Sequence, residues 1–81
     1  MITTKAVWKR KRFKSVYDRI GRRVRGLRLG RGWTIEVMSG ECGLAIASLY
    51  RIEAGNIDMK LSTILILSKL FGLTIAELIH G

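Results

Sequence analysis

TIEVMSGECGLAIASLYRIEAG, Thr34–Gly55, decides how this chain folds. Thr34 is a good N-cap, because its hydroxyl can accept from a free backbone N–H of a first helical turn. Met38 and Cys42 then recur at i, i+4, the inward stripe of a helix about two or three turns long. Gly43 allows the positive φ that a sharp helix-to-helix turn needs. Leu44, Leu49 and Ile52 supply the next inward set, and Gly55 fits the position just past the end of a second helix. Two short helices are therefore expected, Ile35–Cys42 and about Ala45–Ala54, joined by a tight turn.

On the N-terminal side, a helix is expected from about Val16 to Leu29. Ser15 is its candidate N-cap, Asp18 sits near the positive end of its dipole, and Ile20, Val24 and Leu27 form its inward stripe. Gly26 weakens this helix by ~1 kcal/mol relative to alanine, so it depends on packing. Gly30-Arg31-Gly32 reads as a turn; the G-x-G lacks the strand context and third glycine of a nucleotide loop. Trp33 is expected to anchor the core between helices 1 and 5. On the C-terminal side, Leu61–Phe71 reads as helix 4, with Asp58 a possible cap and Leu61, Ile64, Leu67, Leu70 and Phe71 as core. Leu65 and Ile66 are apolar surplus. Thr74-Ile75-Ala76-Glu77 is a capping box that opens a last helix carrying Leu78 and Ile79.

The 81 residues suffice for one small core, and there is no proline. No hairpin signal appears either. The fold class is all-α, a compact five-helix bundle, divided into a basic arm over residues 1–15 and a domain over 16–81. The single cysteine cannot form an internal disulfide, the longest apolar run is far below a span of ~20 residues, and no signal peptide is evident. A cytoplasmic location is expected. Cys42 itself reads as a buried small hydrophobe.

The net charge of +9 asks for a polyanionic partner. It is unevenly placed: twelve Lys and Arg stand against Asp18 alone up to Gly32, a net +11, whereas the remainder is −2. Residues 1–15, with the run Lys9-Arg10-Lys11-Arg12, read as a mobile arm. Such an arm is either a solvated tail or a DNA-contacting element that neutralises phosphates. Trp8 and Phe13 among the cations leave a lipid surface as a minor third option.

Two short helices around a glycine turn make the helix-turn-helix pattern. The chain from Ile20 to Ile79 resembles the lambda-repressor-like DNA-binding domains, the Cro/xenobiotic-response-element family. The resemblance rests on Ile20-Gly21, Arg23-Val24-Arg25, Leu27-Arg28, Arg31-Gly32-Trp33-Thr34, Glu36, Cys42-Gly43-Leu44, Leu49, Arg51-Ile52-Glu53, Gly55, Leu61, Thr63-Ile64, Phe71-Gly72-Leu73 and Glu77-Leu78. It implies that helix 3 enters the major groove of double-stranded DNA. By that resemblance Ala45, Ile46, Ala47, Ser48 and Arg51 fall where groove or phosphate contacts are made, and Tyr50 shares the outer face of Ile46. With Thr34 at the start of helix 2, Arg10 and Arg12 of the arm, and Arg22 and Arg23 of helix 1, these are the candidate DNA-binding residues. Arg51 can bond bidentately with guanine or, alternatively, pair with a neighbouring carboxylate. The chain departs from the family at Ile35, Ala45, Ile46 and Ala47, where polar residues are usual.

An enzyme is the weakest functional class, since His80 is terminal and the carboxylates are scattered; neither a cofactor nor a metal-ligand spacing is expected. The leading expectation is a sequence-specific transcriptional regulator, a repressor of prokaryotic or phage type, cytoplasmic and nucleoid-associated. Surplus apolar residues on helices 4 and 5 suggest a homodimer. The alternative is an interaction module, in which Ile46, Ala47 and Tyr50 dock a protein partner such as a toxin or phage enzyme.

Overall fold

The computed structural model describes residues 2–56 and 59–80, with side chains from residue 13 onward. Five helices lie among them: α1 (Ile2–Gly30), α2 (Ile35–Cys42), α3 (Ile46–Ala54), α4 (Leu61–Phe71) and α5 (Ile75–His80). The protein is an all-α bundle, as expected. Its long axis of 44 Å matches the roughly 44 Å that a helix of α1's length spans.

The turns are set by local chemistry. Thr34 has extended backbone and its hydroxyl accepts from the Val37 N–H at 3.1 Å, which caps α2. Gly43 takes φ 76° and ends α2, a conformation that glycine adopts without strain from a Cβ. Across that turn the Ser39 hydroxyl donates to the Leu44 carbonyl at 2.6 Å, tying the end of α2 to the approach of α3. The Thr74 N–H donates to Glu77 at 2.9 Å while the Glu77 N–H donates to the Thr74 hydroxyl at 3.1 Å, the reciprocal capping box. At the start of α4, Lys60 holds the cap position without a side-chain hydrogen bond; Asp58, the expected cap, lies outside the described residues.

Every helix contributes to one core. Ile20 and Val24 come from α1, Ile35 and Met38 from α2, Leu49 and Ile52 from α3, Leu67 and Phe71 from α4, and Leu78 from α5. Helix α1 packs on α3 and α5, α2 on α3 and α4, and α4 on α5. Removing one helix would leave the inward stripes of its neighbours facing water, which is why such short helices hold only together.

Among the contacts that tie α1 to α3, three recur every seven residues along α1. Lys14 donates to the Gly55 carbonyl at 3.3 Å and to Asp18 at 2.7 Å. Gly21 lies against the backbone of Ile52 and Glu53, so closely that a Cβ there would stand 2.8 Å from the Glu53 carbonyl oxygen. Arg28 donates from Nε and Nη2 to the two carboxylate oxygens of Glu53, at 2.7 and 3.0 Å.

Four expectations need correction. Helix α1 begins at Ile2, not near Val16, so Ser15 is an interior helical residue and not a cap. Leu61 is 66% exposed at the first position of α4 and adds nothing to the core. The ring partner of Trp33 is Phe71 on α4, with centroids 6.2 Å apart, where the sequence suggests helices 1 and 5. Cys42 is half-buried at the margin of the core and not enclosed in it.

Candidate nucleic-acid interface

Helix α3 turns Leu49 and Ile52 inward, so its 3.6-residue period turns Ile46, Ala47, Tyr50, Arg51 and Ala54 outward. The structure thus brings Ile46, Ala47, Tyr50 and Arg51 of the sequence-predicted set onto one exposed helix face. Ala45 occupies the N-cap position, exposed and without a side-chain hydrogen bond, which leaves the first amides of α3 without that acceptor. Ile46 is 40% and Tyr50 57% exposed. Ser48 is half-buried, at the edge of the face. Ile35, the departure at the start of α2, is buried in the core.

Arg51 is exposed, and among the described residues it forms no ion pair. The nearest carboxylate along α3 is engaged elsewhere. Glu53 is held by Arg28, whose side chain is only 10% exposed, against 9% for Glu53. The Glu53 hydrogen bonds hold the Arg28 guanidinium above its already high ordinary pKa, against the opposing cost of burial. The remaining donor, Nη1, reaches the Trp33 carbonyl at 2.8 Å, so one guanidinium fixes α1, the approach to α2 and α3 together. This pairing removes the only negative side chain of α3 from play and leaves Arg51 as that helix's free charge.

The basic residues of α1 and of the turn after it divide by role. Arg31 donates to the Leu70 carbonyl at the end of α4 at 3.2 Å, and its guanidinium lies 5.1 Å from the centroids of both Trp33 and Phe71. That cation helps to hold the fold. Arg23 is half-buried, and its Nε is buried with no hydrogen-bond partner among the described residues. Its charge reaches Glu77, whose carboxyl is held below its ordinary pKa first by the Thr74 N–H, then by the Thr74 hydroxyl, with Arg23 a smaller contributor. Arg22 is exposed, flanked at i−3 and i+3 by exposed Arg19 and Arg25. Thr34 is exposed with its hydroxyl engaged in capping α2. The side chains of Arg10 and Arg12 lie outside the described residues, as does that of Trp8, although the backbone there is helical.

Sequence reasoning passed over Arg28 and Glu53 as a pair. A signal for Arg28 exists: Val16, Ile20, Val24 and Arg28 form an unbroken i, i+4 series, so the stripe that buries Ile20 and Val24 and packs Val16 against the core also carries the arginine inward.

Among the described residues no helix is long and apolar enough to cross a membrane. A family model described as a helix-turn-helix domain matches residues 19–80, about three quarters of the chain. No curated protein matches the chain, and no solved structure does. The match runs from the middle of α1 to the end of α5 and includes the Gly43 turn between α2 and α3, so the chain belongs to the helix-turn-helix family of DNA-binding domains.

Proposed function

We propose that the protein is a sequence-specific DNA-binding transcriptional regulator, a prokaryotic or phage repressor of the lambda-repressor-like, Cro type. The observation that carries this reading is the outer face of α3: Ala45, Ile46, Ala47, Tyr50 and Arg51 exposed together, with Glu53 withdrawn by Arg28. Helix α3 lies in the major groove, where Arg51 pairs with a guanine. Ser48 and the Thr34 end of α2 approach phosphates, and Arg22 and Arg23 of α1 add charge along the backbone. Residues 1–15, carrying Arg10 and Arg12, act as a basic arm that follows the duplex beyond the domain of residues 16–81. The protein acts as a homodimer in the cytoplasm at the nucleoid, with the exposed Leu61, Leu65 and Ile66 of α4 as the apolar surface between copies.

Selection of genomic fragments with the full chain, at two salt concentrations, tests this. The expected result is enrichment of a defined site, with affinity falling as salt rises. Arg51→Ala should cost about 1–3 kcal/mol of binding and relax preference at one base pair. No salt-sensitive binding to any duplex would end the reading. Exposed Ile46 and Tyr50 favour a second one, an interaction module on the same fold. In that case Tyr50→Ala would disrupt a protein complex and leave DNA binding unchanged.

A further inference from the structure

The first turn of α3 is apolar where it would meet bases. Ala45, Ile46 and Ala47 are all exposed, and their side chains carry neither donor nor acceptor. Tyr50, one turn beyond Ile46, extends the same surface at 57% exposure. Polar capacity lies only at the margins, in half-buried Ser48, the Tyr50 hydroxyl and Arg51. The charge of the helix still suits a polyanion, because Glu53 is neutralised by Arg28 and Arg51 is not paired among the described residues.

Resting on the DNA-binding reading of α3, we infer that its first turn reads the C5-methyl group of pyrimidines in the major groove, thymine above all, through Ile46 and Ala47. Thymine presents that methyl beside its O4 acceptor, whereas cytosine presents an N4 amine. Placing Ile46 on a methyl removes apolar surface from both partners. Placing it on a cytosine amine buries a donor with no acceptor, which is costly. Attraction and penalty therefore act in the same direction. The departures from polar residues at these positions become a preference for methylated pyrimidines and not a loss of recognition.

The test compares the full chain on a duplex recovered by genomic selection with the same duplex carrying deoxyuridine at every thymine. This exchange removes only the methyl groups and keeps base pairing, O4 and every phosphate. Affinity, read by fluorescence anisotropy at fixed salt, should fall about fourfold for each methyl contacted, hence tenfold or more for two. Ile46→Ala should narrow the ratio between the two duplexes. Arg51→Ala should weaken both and keep the ratio. Equal affinity for the two duplexes would overturn the inference. So would an unchanged ratio in Ile46→Ala, because the deoxyuridine effect would then come from DNA shape. Repeating the selection on fragments in which all cytosine is 5-methylcytosine identifies the source: the same thymine-bearing sites assign the contact to thymine, and new sites with 5-methylcytosine in their place assign it to either methylated pyrimidine. Both results uphold a methyl reader. Failure to bind any duplex is a separate outcome, which removes the DNA-binding reading itself and this inference with it.

Discussion

Arg28 of α1 and Glu53 of α3 meet as two flat groups joined by parallel hydrogen bonds of 2.7 and 3.0 Å, both side chains almost wholly out of solvent. Breaking such a pair strands one charge in the interior. Arg28→Ala or Glu53→Ala should lower the unfolding free energy by about 3–5 kcal/mol, measured by urea denaturation near neutral pH. The double replacement Arg28→Met with Glu53→Leu should recover much of that loss, because no charge remains buried. A single-substitution effect below about 1 kcal/mol would mean that the pair behaves like one on the surface.

Gly21 and Gly26 lie in the same helix and should respond oppositely to alanine. A Cβ at Gly21 would stand against main-chain atoms of Ile52 and Glu53, which cannot swing aside, while one at Gly26 meets nothing within 4 Å. Gly21→Ala should destabilise by about 1–3 kcal/mol as α1 and α3 are forced apart. Gly26→Ala should stabilise by about 1 kcal/mol through helix propensity. Thermal unfolding of the two variants side by side checks the contrast.

Arg31→Ala should lower stability by about 1 kcal/mol, since it removes a cation from between two aromatic rings together with a hydrogen bond at the end of α4. Arg31→Lys should restore part of this. A change in melting temperature reads the effect, and no change would show that the stack is lost to solvent.

The capping box of α5 should make stability depend on acid. Glu77 is held below its ordinary value of 4.5, so its contribution is fully present above that value and is lost as pH falls through the lower folded one. Glu77→Gln should therefore be less stable than the parent near neutral pH and should converge with it in acid. Denaturation curves across that range measure the convergence, and a constant difference would refute it.

The helix boundaries that were legible in the sequence rest on chemistry within a few residues of themselves. Thr34, Gly43, Gly55 and the Thr74–Glu77 box each satisfy or release a neighbouring backbone group, and α2 and α4 run over the residues expected. The beginning of α1 was not legible, because periodicity reports burial and the arm shows no apolar stripe. Residues 2–14 nevertheless contain no glycine or proline, and a helix already nucleated by packing extends cheaply through such a segment. Most of the α3 face was legible, since inward Leu49 and Ile52 dictate what points outward. The Arg28–Glu53 pair was not: its partners are 25 residues apart, and arginine is ordinarily read as surface. The role of Arg31, just past the end of α1, was hidden for the same reason, as it finds its carbonyl and rings across a turn and at the end of another helix.

The seven-residue rhythm of Lys14, Gly21 and Arg28 has a mechanical meaning. Along α1 these positions span about four turns, yet on α3 all three meet the last turn, at Gly55, at Ile52 with Glu53, and at Glu53 again, so α3 is anchored by its C-terminal end. It is held as a peg is held, by its base. Ile46 begins the opposite end, so its position is set instead by Leu49 in the core and by the Ser39–Leu44 hydrogen bond across the turn.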